Sequence, residues 1–406
     1  FVFPAVFCVL PIFFCIPKWD KTLLSAVESG MVLLSFLPVK LSELAFNCHF
    51  EKKNKRYIIA AAQNFAASGT KLIAITGSFG KTSCKNILFD LLSGSFRVAK
   101  SEQNYNTPMG VALSIEKLTG DEEYFIAEFG ARKKGDITEL CSYFTPDIGI
   151  ITGVCEQHSG VFGSIHTIYN EKFQLAKKMK EDGFCAFGCN MYAQKMYGEF
   201  SGNKISVSAH EAIYVENVCR LIGKTSFDLH IRGKQKNVTT VLCGKQALDN
   251  LLLCVIVADK LGVEADDIFE RIEKIKQIPH RLEYFCVGGA HILDDSYNSN
   301  IVGVKYALDY LRIYPSPRIV VAQGVVELGI KQKEENIHIG EEIADVADRV
   351  ILLGSNKKAL RIGLENKRFK GSVVFCRSIK KVEKELKNRL RPGMNVLFQN
   401  DLPDIY

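Results

Sequence analysis

The segment Gly77-Ser78-Phe79-Gly80-Lys81-Thr82-Ser83 places two glycines, a lysine and three hydroxyls in one short stretch. That set suits a polyphosphate. Glycines let backbone N–H groups approach phosphate oxygens, Lys81 neutralises the terminal phosphates, and the Thr82 hydroxyl can ligate Mg²⁺. The spacing is shorter than the common GxxxxGK[ST] loop, because Ile75 stands where that pattern needs its first glycine. Such a loop works only between a strand and a helix. Lys71-Leu-Ile-Ala-Ile-Thr76 is apolar and rich in β-branched residues, as a buried strand is. Cys84 to Leu92 repeats apolar residues at helical spacing, and the start of that helix adds partial positive charge at the phosphates.

Further polar residues stand where elements end. Tyr124 to Phe129 reads as a strand closing on Glu128, and a carboxylate at the carboxyl end of a parallel strand faces the ligand crevice of an α/β sheet. Asp147 to Val154 is the next strand, followed by Glu156-Gln157-His158. Ile165 to Lys180 reads as an amphipathic helix containing Lys172, with Lys177 and Lys178 as competitors for any role. Another helix opens at Gly244 and runs to about Leu261, and a boundary falls near Gln277-Ile278-Pro279. Beyond it, strands at Arg318–Ala322 and Arg349–Leu353 alternate with helical stretches near 301–313 and 335–347. The expected fold class is therefore α/β, a P-loop domain with a mostly parallel sheet followed by a Rossmann-like α/β domain.

The chain has 406 residues, 47% hydrophobic and 24% charged, which excludes a disordered, collagen-like or coiled-coil protein. Its net charge of +7 is spread out and lacks the dense basic stripe of a nucleic-acid binder, so no nucleic-acid partner is expected. The 13 cysteines contain no CxxC pair, which argues against a zinc ribbon, and the chain reads as a reduced, cytosol-facing protein. Phe1 to Pro17 and Thr22 to Leu41 are apolar runs, and Glu51-Lys52-Lys53-Asn54-Lys55-Arg56 follows them. Positive residues at the end of a span mark the cytoplasmic side. The expectation is a membrane anchor through residues 1–41, N-terminal hydrophobic helices, and catalytic domains facing the cytoplasm from the cytoplasmic membrane. No initiating Met is present, so the first span reads as truncated. The expected divisions are an anchor and linker over 1–66, an ATP-binding domain over 67–277 and a C-terminal domain over 278–406.

From about residue 70 onward the sequence resembles the Mur ligases, ATP-dependent amide-bond ligases of peptidoglycan precursor synthesis, and most of all their MurF type. Thr76-Gly77-Ser78-Phe79-Gly80-Lys81-Thr82 is similar to their nucleotide loop. Asn104-Tyr105-Asn106-Thr107-Pro108-Met109-Gly110-Val111 is similar to the acceptor segment of the MurF branch, and Asp294-Asp295-Ser296-Tyr297-Asn298-Ser299-Asn300 to its Asp-Asp-[ST]-Tyr-Asn-Ala-Asn-Pro motif.

The resemblance implies ATP and Mg²⁺ as cofactors, and an acyl phosphate as the activated form of the acid. It makes Gly77, Ser78, Gly80, Lys81, Thr82 and Ser83 the phosphate cradle. Thr82, Glu128, His158 and Lys172 become metal-site residues, with Lys172 as a carbamylated lysine and His158 as a neutral imidazole beside carboxylates. Asn250 is carried to the adenine edge, although Gln246 and Ala247 replace the family's His and Asn. Arg281 reaches the ATP phosphates and Asp295 accepts from the ribose. Asn104, Asn106, Thr107, Asn298, Glu327 and His338 fall in substrate segments. Lys81, Lys172, Arg281 and His158 are then the catalytic set. The implied partners are a muramyl tripeptide, UDP-linked or lipid-linked, and D-alanyl-D-alanine. Because the phosphate loop begins only about 75 residues in, poly-γ-glutamate and folylpolyglutamate ligases stay open, as does a membrane-tethered P-loop ATPase without ligation.

Overall fold

The computed structural model describes residues 40, 43, 50–102, 104–156, 159–297 and 300–399. The chain divides between residues 63 and 64, and everything that could carry chemistry lies in the second unit. Strand β1 (Lys71–Thr76) exposes only Lys71 and buries the other five residues. Burial on both faces is what a central parallel strand requires, and it explains a run of apolar residues without alternation. β1 lies between β3 (Tyr124–Glu128) and β4 (Ile148–Ile151), with Ile75 opposite Glu128 on one side and Ile150 on the other. With β2 (Val98–Lys100), β5 (Phe184–Phe187) and β6 (Lys204–Ser206), the sheet runs β2-β3-β1-β4-β5-β6, parallel throughout. Thr76, Glu128 and Ile151 therefore end along one edge, so the segments after them share a crevice.

Helix α1 (Lys81–Leu92) begins at the glycine turn and buries Cys84, Ile87, Leu88, Leu91 and Leu92. It packs in the same core as the helix Lys245–Lys260, which is buried from Asn250 to Asp259. Between the α/β segments lies an antiparallel sheet that the sequence reading did not foresee: β7 (Ile213–Leu221), β8 (Lys224–Ile231) and β9 (Lys234–Thr240). Its legible signal was Arg232-Gly233, two positive-φ residues joining β8 directly to β9.

The following sheet has the order β10-β11-β15-β12-β13-β14. It is mixed, not wholly parallel. β10 (Glu283–Val287) runs antiparallel to β11 (Ala290–Asp295), because Gly288 and Gly289, both with positive φ, form a two-residue hairpin. The remaining strands are parallel: β12 (Arg318–Ala322), β13 (Arg349–Leu352), β14 (Ser372–Phe375) and β15 (Asn395–Gln399). β15 inserts between β11 and β12, which gives the Val396-Leu397-Phe398-Gln399 run a structural role as a central strand.

The expected membrane anchor, and with it the placement at the cytoplasmic membrane, is corrected. No helix among the described residues is long and apolar enough to cross a bilayer. The described helical residues from 50 onward include Glu51, Lys52, Lys53, Lys55 and Arg56, too many charges for a hydrocarbon core. Residues 1–39, which held most of the expected N-terminal hydrophobic helices, lie outside the described residues.

Leu397 is fully buried at the centre of the second sheet. Leu397→Ala should cost about 2–5 kcal/mol in chemical denaturation. A loss below about 1 kcal/mol would show that β15 is not a core strand.

Candidate active site

The glycine turn is fixed by its neighbours. A Cβ on Gly77 would lie 2.0 Å from Thr152 Oγ1, and one on Gly80 would lie 2.6 Å from Asn250 Oδ1. Gly80 also has φ +78, the left-handed region that favours glycine. The Ser78 N–H donates to the Gly153 carbonyl at 2.8 Å and the Ser78 hydroxyl to the Cys155 carbonyl at 3.2 Å. The Thr152 hydroxyl donates to the Phe79 carbonyl. The turn is thus tied to the segment after β4. Lys81 Nζ folds back to the Gly77 carbonyl at 2.8 Å, and no side chain caps α1. An uncapped helix start at a glycine turn leaves N–H groups for an anion.

Beneath the turn lies a buried ion pair. Glu128 Oε1 is 2.8 Å from Lys85 Nζ, and both side chains are 2% exposed. Glu128 Oε2 accepts from the Thr82 hydroxyl at 3.2 Å. A hydroxyl and a carboxylate oxygen adjoining a phosphate cradle are hard donors, which suits Mg²⁺. Lys85 was missed in the sequence, yet it had a signal: it is in helical phase with Leu88 and Leu92 on the core face of α1. A lysine in that phase needs a buried partner.

Lys172 sits on the helix α4 (Ile165–Lys178), where α2 (Pro108–Ile115) and α3 (Asp136–Tyr143) precede it, and is 3% exposed; Lys177 and Lys178 are exposed. Burial pushes the Lys172 ammonium down to about 7, and the nearby Lys81 charge adds to the effect, against the pull of Glu171 and Asp136. Glu171 accepts from the N–H groups of Gly135 at 2.8 Å and Ile137 at 2.7 Å, which fixes the start of α3.

The second sheet supplies the opposite wall. Arg281 lies between His280 and Leu282, two non-glycine residues with positive φ, a conformation costing about 1–3 kcal/mol each. The turn is held by Leu282 N–H to Asp295 Oδ1 at 3.2 Å and by His280 Nδ1 to Asp294 Oδ2 at 2.7 Å. The Arg281 guanidinium lies 4.2 Å from the Tyr297 ring centroid and donates to the Tyr297 carbonyl. Burial pushes Asp295 up to about 6, against the lowering effect of Arg281. Across the gap, Asn104 Nδ2 donates to the Tyr297 hydroxyl at 3.0 Å.

Many of these groups line a cavity of about 780 Å³. The first wall brings Ser78, Gly80, Lys81, Thr82, Ser83 and Glu128 to it, and Asn250 closes one end against Gly80. Arg281 and Asp295 face them. Asn104, Asn106 and Thr107 also line it, although the Thr107 hydroxyl is engaged in capping α2 through the Gly110 N–H at 3.2 Å. Gly77 anchors the turn from behind, and Lys172 lies buried below it. Glu327 and His338 do not line the cavity. The Glu327 carbonyl accepts from the Gly160 N–H at 3.2 Å, while His338 is exposed on its helix and bonds Glu341 at 3.2 Å. His158 and Asn298 lie outside the described residues. The sequence reading missed Arg132, Lys133 and Tyr306, which also line the cavity.

Residues 75–258 match the Mur ligase middle domain, and residues 280–399 match the Mur ligase, glutamate ligase domain. The chain is 30% identical over 296 residues to the UDP-N-acetylmuramoyl-tripeptide–D-alanyl-D-alanine ligase of Borreliella burgdorferi, covering 70% of this chain and 62% of that protein. It is 26% identical over 299 residues to the ligase of the same name in Escherichia coli, covering 71% of this chain and 66% of that one. The chain thus spans less than two thirds of the length of either relative. A crystal structure of MurF ligase from Thermotoga maritima in complex with ADP superposes with a TM-score of 0.76 at 24% identity, covering 86% of this chain and 80% of that one.

Lys85→Met should destabilise the protein by about 3–5 kcal/mol, because Glu128 is left charged and buried. The double variant Lys85→Met/Glu128→Leu should recover most of that loss in chemical denaturation. If it is as unstable as the single variant, the two residues do not act as a pair.

Proposed function

Because the chain belongs to the Mur ligase family, we propose that it is an ATP-dependent acid–amino acid ligase of peptidoglycan precursor synthesis. In this reading it joins D-alanyl-D-alanine to a UDP-linked muramyl tripeptide, as the names of its relatives describe for those proteins. The observation that carries the reading is the shared cavity: the phosphate turn of one sheet and Arg281 with Asp295 of the other face the same space.

A carboxylate is a poor electrophile, so its oxygen first attacks the γ-phosphorus of ATP and ADP leaves. The amine then attacks the acyl carbon, inorganic phosphate departs, and the amine loses a proton. Lys81 and Arg281 approach the transferring phosphate from opposite walls and offset the charge of an anionic acid meeting an anionic nucleotide. Thr82 and Glu128 would hold Mg²⁺, which supplies further neutralisation of the phosphate oxygens. Asp295 would accept from the ribose, and Asn250 would border the base. Lys172 is buried with its ammonium disfavoured, so above about pH 7 it presents a neutral amine. That amine can attack CO₂, release a proton and become a carbamate. The change removes the repulsion from Lys81 and replaces it with attraction.

Lys81→Ala should lower ligation by about 10²–10³-fold in a coupled phosphate-release assay containing both acceptors. Turnover near wild type would remove the phosphate-turn assignment. Lys172→Ala should lose activity that added bicarbonate does not restore, and a fully active variant would return Lys172 to a packing role.

Asp295 should make nucleotide affinity depend on pH. As pH falls through about 6 the carboxylate takes a proton and its acceptor capacity drops, so the KM for ATP should rise between pH 7 and 5. Asp295→Asn should flatten that rise. The linkage to stability runs in the opposite direction. A carboxyl raised in the folded state favours folding below its unfolded value and loses that contribution as pH climbs through about 6. Asp295→Asn should therefore gain more stability, relative to wild type, at pH 7 than at pH 4. Equal gains at both would show that Asp295 is not raised.

A further inference from the structure

We infer that the base end of the cavity takes purine triphosphates with a 6-oxo group, GTP and ITP, as well as ATP. Tyr306 holds the base by its face, and Gln246 reads its edge with a carboxamide that can turn over. The inference rests on the ligase reading and specifies its phosphoryl donor.

The phosphate turn locates the base end. Asn250 packs against Gly80, and Gln246 precedes it by four residues on the helix Lys245–Lys260. Gln246 therefore lies on the same helix face, about 6 Å further along the axis. That step leaves room for a ribose between the turn and Gln246, and Asp295, on the ribose side, accepts from the Leu282 N–H at 3.2 Å. Opposite stands the helix Ile301–Leu311, which brings Tyr306 and Ala307 to the cavity. Leu282 and Ala307 are buried and apolar. A Cβ on Gly244 would lie 2.9 Å from Leu282 Cδ2, so the two walls close tightly behind this slot.

The slot holds a purine by means that do not distinguish one purine from another. Lys245 Nζ lies 5.9 Å from the Tyr306 ring centroid and ties that ring to the start of the facing helix. Stacking on an aromatic ring uses the π-face, which adenine, guanine and hypoxanthine share. Gln246 is half-buried and lines the cavity, and its carboxamide makes no hydrogen bond among the described residues. A carboxamide carries a donor and an acceptor, and half a turn about its last bond exchanges them. It can accept from the 6-amino group of adenine or donate to the 6-oxo group of guanine and hypoxanthine. Rejecting one of these needs a group that only donates, only accepts, or is held in one orientation. Among the described residues, neither helix sends a charged side chain into the cavity. Positions 246 and 247 carry Gln and Ala in place of the family's His and Asn, and the Ala247 methyl offers nothing to hold the carboxamide one way round.

The test uses the full chain with Mg²⁺, D-alanyl-D-alanine and a UDP-linked muramyl tripeptide, with ATP, GTP and ITP as donors in turn. The kcat/KM values for GTP and ITP should lie within about 10-fold of that for ATP, and ADP and GDP should displace a fluorescent ADP analogue with affinities within the same factor. A preference for ATP or ADP of about 100-fold or more in either measurement overturns the inference and leaves the ligase reading intact. Tyr306→Ala should raise the KM of ATP and GTP together by about 10–100-fold, and Tyr306→Phe should recover most of that loss. Gln246→Glu, an acceptor only, sits in the first helical turn, where a carboxylate is favoured, so folding is not at risk. It should shift the GTP-to-ATP ratio by about 10–100-fold, toward GTP if the N1 edge faces residue 246 and toward ATP if the N7 edge does. Unchanged KM values in Tyr306→Ala, or an unchanged ratio in Gln246→Glu, also overturn the inference alone. Absence of product with all three donors overturns the ligase reading, and the inference falls with it.

Discussion

A carboxylate and an ammonium, each 2% exposed, meet at 2.8 Å beneath the phosphate turn. Burying either alone is prohibitive, so Glu128 and Lys85 must arrive together, one on the end of β3 and the other one turn into α1. That constraint fixes the rotation of α1 about its axis. Because α1 begins at Gly80, it also fixes the direction in which the uncapped helix start points. Glu128 has two oxygens. Lys85 occupies one, and the other stays with Thr82 at the cradle. The pair therefore joins packing to chemistry: the interaction that seats the helix also orients the oxygen available to a cation.

The crevice above follows from strand register. With Ile75 opposite both Glu128 and Ile150, the loops after β1, β3 and β4 leave the sheet at one level. Thr152 and Gly153 then press against Gly77 and Ser78, and this contact holds the turn open. Arg281 is presented by a different device, a strained pair of positive-φ residues clamped by Asp294 and Asp295. One wall is rigid through regular structure. The other is rigid through hydrogen bonds to two adjacent carboxylates.

Residues that speak through local pattern were legible in the sequence. The run 71–76, the glycines at 77 and 80, and the periodicity of 84–92 each follow from backbone physics over a few neighbours, and Glu128 could be placed because strand ends define a crevice. What escaped depends on distant partners. Lys85 is intelligible only with β3 beside it. Arg132 and Lys133 look like solvated charge until Glu171, 36 residues beyond Gly135, is seen holding their loop. The antiparallel β10 eluded a reading that extrapolated parallel strands, although Gly288-Gly289 stated the hairpin plainly. His338 shows the converse case: motif similarity carried it toward substrate, while the local structure places it on the exposed side of a helix beside Glu341.

The insertion of β15 between β11 and β12 bears on how the molecule is made. Until residues 395–399 have left the ribosome, the second sheet is two separate halves, and β11, which ends in Asp295, has an open flank. The cavity-facing surface of that lobe thus consolidates only after every other strand of its sheet has emerged. A nascent chain carries a finished phosphate turn well before it has anything to close over it.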